Sequence, residues 1–319
     1  MKHLYADMAL LPDGWAMDVR VMIDGTGQIV SVEQETKPQV GDELLKGKVL
    51  LPAPSNLHSH AFQRALAGLT EVRGTAGQDS FETWRQLMYK FLGLLVPEQI
   101  EVIAALSQIE MMESGFASVG EFHYLHHQNG GQSYDDPAEL SRRIIASAGE
   151  TGIGLTLLPV YYSQGGVDGR ALEGGQLRFG NNLDRFAGIW SGAREAIEKL
   201  GADHALGIAP HSLRAVSKID LTRLTETYPK GPIHIHIAEQ AAEIQEITAA
   251  YGQRPIAWLF DNLTVDKNWC LVHATHMNDE EITILATSGA VAGLCPVTEA
   301  NLGDGIFPAD RFLNRGGSI

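Results

Sequence analysis

Cysteine is nearly absent from this 319-residue chain, with Cys270 and Cys295 the two present. Neither belongs to a Cys-x-x-Cys pair, and each lies in an apolar stretch, WCLVH and AGLCP. That pattern excludes a disulfide framework and points to buried core thiols in a reducing compartment. Positive charge is also scarce. Lys and Arg total 24 against 39 Asp and Glu, a formal net charge of -15, so nucleic acid and anionic membrane surfaces are poor partners. Long hydrophobic runs are missing. The densest, FLGLLV at 91–96, is far shorter than the roughly 20 residues a bilayer requires. The N-terminal MKHLYADMALLPDGW lacks the apolar core of a secretory signal. A cytoplasmic protein is expected, and the sequon Asn262-Leu263-Thr264 is then unused. Gly25-Thr26-Gly27 lacks the third glycine of a dinucleotide fingerprint and reads as a hairpin turn.

What is present is an ordinary globular composition, 44% hydrophobic and 20% charged, enough for a sizeable core. Residues 1–48 read as short strands, with tight turns at Asp13-Gly14 and Asp24-Gly25. They are assigned to the N-terminal part of a small β-sandwich domain. From residue 49 to 319, apolar segments alternate with helical ones. Strands are expected at 49–58, 117–122, 154–160, 205–210, 233–238, 270–274 and 290–295. Helical periodicity marks PEQIEVIAALSQIEMMESG, DPAELSRRIIASAGETG, LDRFAGIWSGAREAIEKLG and NDEEITILATSG between them. Seven strand-then-helix units predict an α/β fold, a (β/α)8 TIM-like barrel, with an open doubly wound sheet as the alternative. The segment Asn314–Ile319 reads as the entry to an eighth strand. A barrel lacking a strand leaves two unpaired edges, so the chain is expected to be incomplete at its C-terminus.

In such a barrel, chemistry sits at the C-terminal ends of the strands, and polar residues collect there. His58-Ser59-His60 ends the first strand, Glu121-Phe122-His123-Tyr124 the second, and His211-Ser212-Leu213-Arg214 the fourth. His236 and Glu239 end the fifth, and His273 the sixth, with His276 following. Side chains two apart on a strand share a face, so His58 and His60 can chelate one metal. A lone His-x-His is weak, but further histidines at later strand ends strengthen it. In HIHIAE, His236 lies nearest the strand end and is the better third ligand, while His234 reads as a packed, hydrogen-bonded core residue. Glu239 could reach a water or a substrate nitrogen; the plain alternative is a carboxylate at a helix N-terminus. His273 is read as an orienting partner or proton shuttle, and His276 as part of the following loop. His3, His126, His127 and His204 have no supporting pattern and read as solvated or capping.

On the motifs NLHSHAFQRALAGLTE (56–71), DSFETWR (79–85), SVGEFHYLHH (118–127), APHSLRAV (209–216), HIHIAEQ (234–240) and LVHATHM (271–277), the chain resembles the amidohydrolase superfamily in its deaminase branch. More narrowly, it is similar to the formimidoylglutamate deiminases of bacterial histidine degradation, along essentially its whole length. The resemblance implies zinc ligands at His58, His60 and His236, with iron as the alternative ion, and proton transfer by Glu239 and His273. It implies a small dicarboxylate substrate held by Gln63, Arg85, Tyr124, His211 and Arg214, and a homodimer. The family's fourth ligand is an eighth-strand aspartate that would follow Ile319; Asp304 and Asp310 precede that segment and are not substitutes. His211, in place of a lysine that could be carboxylated to bridge two ions, favours one metal. Such an ion lowers the pKa of a water toward about 7. Two arginines suit two carboxylates through their planar forks of donors; the bland reading of each is a surface ion pair. Competing readings are an aminohydrolase acting on a guanine- or cytosine-like heterocycle, and a catalytically dead barrel serving as a scaffold.

Overall fold

The computed structural model describes residues 1–70 and 81–319, and contacts divide it into two units, Met1–Pro54 and Ser55–Ile319. In the first unit, β1 (Lys2–Leu11) and β2 (Gly14–Ile23) form an antiparallel hairpin in which Leu11 faces Gly14. Gly14 has φ +117, a region open to glycine because it has no Cβ. β3 (Ile29–Glu33) joins β2, while β4 (Glu43–Leu44) and β5 (Val49–Leu50) run parallel to β1. The result is a single five-stranded sheet with Ala9, Ala16, Val19 and Val21 as its core. The Gly25-Thr26-Gly27 segment is a turn, held by Asp24 Oδ1, which accepts from the Thr26 and Gln28 amides at 2.8 and 3.0 Å.

The second unit is built from parallel strands. β6 (Ser55–Ser59), β7 (Ser118–His123) and β8 (Gly154–Tyr161) pair in succession, and β8 pairs with both β9 (Ala205–Leu206) and β10 (Ala209–Pro210). β11 (Ile233–Ile237), β12 (Trp269–His273) and β13 (Val291–Gly293) continue the order. Parallel bridges Ile208–Ile233 and Ser212–His236 join the two sets, and Val291 bridges to Ser318. The order follows the chain, with β9 and β10 both alongside β8, and it never reverses. That is the winding of a barrel; a doubly wound sheet reverses at a switch point.

Ten α-helices occur among the described residues: α1 (Phe81–Leu92), α2 (Pro97–Glu113), α3 (Glu139–Thr151), α4 (Leu183–Ile197), α5 (Lys218–Thr227), α6 (Ala241–Tyr251), α7 (Pro255–Asn262), α8 (Asp279–Ser288), α9 (Pro296–Leu302) and α10 (Ala309–Asn314). α4, α5 and α8 start on side-chain caps from Asn182, Ser217 and Asn278, which satisfy otherwise orphaned amides. Two apolar clusters fill the unit: one packs around Phe122, Leu155 and Leu157, the other around Ile235, Leu259 and Leu271. None of the described helices is long and apolar enough to cross a membrane.

Two strand expectations are corrected. Segment 49–58 splits into β5 and β6, because Pro52 and Pro54 supply no amide to a ladder. Segment 205–210 breaks at Gly207, where a Cβ would meet the Pro232 carbonyl oxygen at 2.1 Å. Part of the 56–71 motif and of the 79–85 motif, residues 71–80, lies outside the described residues.

Candidate metal centre and active site

His58 near the end of β6, His60 just beyond it and His236 on β11 point their Nε2 atoms at one another. The separations are 3.0 Å for His58–His60 and 3.1 Å for His236–His58. Phe122 of β7, fully buried, backs all three rings at centroid distances of 4.3 to 5.3 Å. Tautomers are set from behind. His60 Nδ1 donates to the Phe122 carbonyl at 2.9 Å, and His236 Nδ1 to the His211 carbonyl at 3.2 Å. Each bond places the proton on Nδ1 and leaves the Nε2 lone pair facing inward. Burial, reinforced by the neighbouring imidazoles, drives His58 and His236 well below the usual histidine range, and burial lowers His60 to about 4.

Lone pairs crowded this closely repel unless a cation or protons lie between them, and the depressed basicity disfavours protons. Nitrogen ligands about 2.0–2.1 Å from one ion sit at this mutual spacing. The residues therefore fit a divalent cation. Two ligand groups occur among the described residues: these three histidines, and His273 with Cys295 and Glu299.

His273, at the end of β12, stacks on His236 at 5.6 Å. Its Nε2 lies 3.4 Å from Glu239 Oε1 and its Nδ1 3.1 Å from Glu299 Oε1. Burial works against its charge, but the Glu299 hydrogen bond and the carboxylates of Glu239, Glu299 and Asp304 outweigh it and raise its pKa. Burial likewise raises Glu239, against the pull of His273 and Arg214. Glu239 is held in place by Glu243, whose two oxygens accept from the Ala238 and Glu239 amides at 3.1 and 3.0 Å. Ala238, His273 and Ala274 all have positive φ, +54, +72 and +47, a conformation unusual for non-glycine residues and typical of functional turns.

The expected substrate residues collect beside this cluster. Gln63 donates to the Tyr124 hydroxyl at 2.9 Å. Tyr124 packs against His60 at 4.9 Å, and His211 against His236 at 4.9 Å and Tyr162 at 4.7 Å. Arg214 and Arg85 both act electrostatically on His211 and on Tyr162. Arg214 Nε is buried with no hydrogen-bond partner among the described residues. Arg85, on α1, stands over the Tyr89 ring at 6.0 Å and borders a cleft of about 220 Å³ with Arg170, Glu173 and Gln176.

Other residues correct or extend the sequence reading. His126 and His127 are buried, not solvated: their Nε2 atoms donate to the carbonyls of Val160 and Gly180, each at 2.9 Å. His204 Nδ1 accepts from the Leu155 amide of β8 at 3.2 Å, and His3 Nδ1 contacts Arg20 at 3.0 Å. His234 is packed as expected, but its Nδ1 has no hydrogen-bond partner among the described residues. His276 lies in the loop after β12 and donates to the Asp304 carbonyl at 2.6 Å. The Asp304 carboxylate is engaged by Gln240 at 3.1 Å, and Asp310 lies on α10. Both thiols are free and raised by burial to about 12. Glu121, on β7, places its carboxylate at the residue that follows His60. It accepts from the Ala61 amide at 2.8 Å, and burial raises its pKa to about 7. Glu243 and Glu299 were missed by sequence reasoning. Their only signal was an acidic residue in the first turn of the helix after a strand, which is also ordinary helix decoration.

Comparison with known proteins is decisive for family. The Amidohydrolase family model matches residues 49–319. The chain belongs to the amidohydrolase family. A second model, Formimidoylglutamate deiminase HutF, N-terminal domain, matches residues 1–46. Formimidoylglutamate deiminase of Pseudomonas aeruginosa is 49% identical, with the match covering 100% of this chain and 70% of that protein. The 5-methylthioadenosine/S-adenosylhomocysteine deaminase 2 of Archaeoglobus fulgidus is 26% identical, covering 96% and 66%. Among solved amidohydrolases, one from Brucella melitensis superposes with TM-score 0.94 at 48% identity, covering 99% of this chain and 70% of that one. The zinc complex of atrazine chlorohydrolase TrzN from Arthrobacter aurescens TC1, at 16% identity and TM-score 0.81 over 99% and 70%, shares the fold.

Proposed function

We propose that the chain hydrolyses N-formimino-L-glutamate to N-formyl-L-glutamate and ammonia, a step of histidine degradation. The observation that carries this is the juxtaposition of three convergent imidazoles with two guanidiniums acting on the same His211. A neutral heterocycle needs no such pair of cations, whereas the substrate's two carboxylates do. The 49% identity to the Pseudomonas deiminase supports the same reading.

His58, His60 and His236 would hold one divalent cation, with zinc the ion proposed because imidazole ligands suit it. When bound, that ion supplies Lewis acidity and lowers the pKa of water toward about 7. His273 Nε2 takes the proton that the attacking water releases. Glu239, whose pKa burial raises, passes a proton to the formimino nitrogen and then to departing ammonia. The water oxygen ends in the formyl group, the C–N bond breaks, and both water protons leave with the nitrogen. Arg85 and Arg214 bind the carboxylates. Gln63, Tyr124 and His211 add directional hydrogen bonds. A homodimer in the cytoplasm completes the reading.

Turnover of N-formimino-L-glutamate, guanine and cytosine by the purified full-length protein loaded with zinc tests it. Formyl product and ammonia from the first, in equal amounts, are expected, with neither base turned over faster. Faster release of ammonia from either base rejects the substrate assignment.

A further inference from the structure

Glu299 has no role in the reading above, yet it is buried, 4% exposed, against the residue proposed to move the proton. It lies on α9, in the segment Pro296-Val297-Thr298-Glu299 that follows β13. A single carboxylate oxygen, Oε1, accepts from two donors. One is the Cys295 amide at 2.9 Å, and the other is His273 Nδ1 at 3.1 Å. An acceptor that is already tied to a backbone amide cannot follow the imidazole if the ring turns over. It selects the tautomer that carries hydrogen on Nδ1. Nε2 is then left as the open nitrogen, on the side of Glu239 at 3.4 Å and of the His58 and His236 rings.

The backbone agrees. His273 and Ala274 sit at φ +72 and +47, and this turn is pinned by the Ala274 amide donating to Ile237 O and the His276 amide to Ala238 O, at 3.1 and 3.0 Å. A ring carried on such a turn has its root fixed by the main chain. Its rotation about the side-chain bonds is fixed by Glu299. The alternative, that His273, Cys295 and Glu299 form a second cation site, requires His273 Nδ1 to give up its hydrogen and its bond to Oε1 and to act as a ligand instead.

We propose that Glu299 is a positioning residue for hydrolysis: it locks His273 in the Nδ1–H tautomer and so reserves Nε2 for proton transfer. This rests on the assignment of His273 as the proton-transfer group. The plain competitor is that Glu299 only caps the start of α9 through Cys295.

Nitrogen-15 spectra of histidine-labelled, zinc-loaded full-length protein, recorded without substrate on the alkaline side of the His273 titration, separate the two. Wild type is expected to show His273 protonated on Nδ1; the Nε2–H tautomer would overturn the proposal. Glu299→Met keeps the side-chain length but has no acceptor for either N–H. It should give mixed tautomers and a kcat lower by roughly 10- to 100-fold, the usual cost of losing an orienting partner, with KM within about twofold. Glu299→Gln retains one acceptor oxygen and should restore the Nδ1–H signal and most of kcat. A Glu299→Met protein that melts lower but keeps the wild-type tautomer and kcat assigns Glu299 to capping alone. If Glu299→Met does not fold, the wild-type and Glu299→Gln spectra decide. The spectra need no substrate, so a wrong substrate assignment leaves this result intact.

Discussion

Arg214 illustrates how little a residue type says without its surroundings. In sequence it is one arginine three positions after a strand-end histidine. In the structure its Nε is buried without a protein partner among the described residues, while the carboxylates of Glu243, Glu239 and Glu246 outweigh burial and keep the guanidinium charged. A buried charged donor left open in this way is suited to a ligand carboxylate. Arg214→Ala is therefore expected to raise KM for N-formimino-L-glutamate roughly 10- to 100-fold, the worth of a charge-assisted hydrogen bond or two. Zinc content, measured by atomic emission, should stay at the wild-type level. Metal loss with unchanged KM would instead place Arg214 in the support of the histidines.

Among the elements, β7 does most to shape the site. It pairs with β6, which carries His58, while its Phe122 ring backs three imidazoles and its Phe122 carbonyl fixes the His60 tautomer. The close approach of the two strands requires Gly120: a Cβ there would stand 2.7 Å from Leu57 O and 3.6 Å from His234 Cε1. Neither can move cheaply, because one is backbone next to a proposed ligand and the other a ring in the barrel wall. Gly120→Ala should lose about 1–3 kcal/mol of stability in urea titration and hold zinc less tightly. Gly201→Ala, where nothing lies within 4 Å of the new Cβ, is the control and should change stability by no more than about 0.5 kcal/mol.

At the scale of the whole molecule, the barrel wall buries histidines that the sequence presents as unremarkable. Burial lowers His123 from 6.5 to about 3 and takes His126 well below its usual value. Both are neutral when folded and gain a proton on unfolding in mild acid, so they contribute stability that is full above pH 6.5 and lost as pH falls, for His123 toward about 3. Glu121 runs the other way. Its folded pKa is raised from 4.5 to about 7, so its contribution is full below 4.5 and lost as pH rises through about 7. The two partly cancel in the overlap, and a difference between variants isolates one of them. Between about pH 6 and about pH 4, the urea-derived stability of His123→Gln should vary less steeply than wild type by about 1.4 kcal/mol per pH unit. Parallel curves would show that His123 is hydrated in the folded protein.

The succession of strands and helices was legible in the sequence because apolar periodicity is local, and the grouping of polar residues at strand ends followed from it. His58, His60, His236, Glu239 and His273 stand out by position at strand ends, whereas the substrate role of Arg85 and Arg214 came from the family resemblance. Tertiary structure decided what depends on distance between segments far apart in the chain. It brought His236 within 3.1 Å of His58, 178 residues away, and set Glu299 and Glu243 behind the residues they hold. It also broke two expected strands, at Pro52 and Pro54, which supply no amide to a ladder, and at Gly207, where a neighbouring carbonyl comes too close for a side chain. Periodicity reports which face of a segment is buried, but not which donor in another segment its polar groups will meet. Only the closing of the strands around one interior decides that.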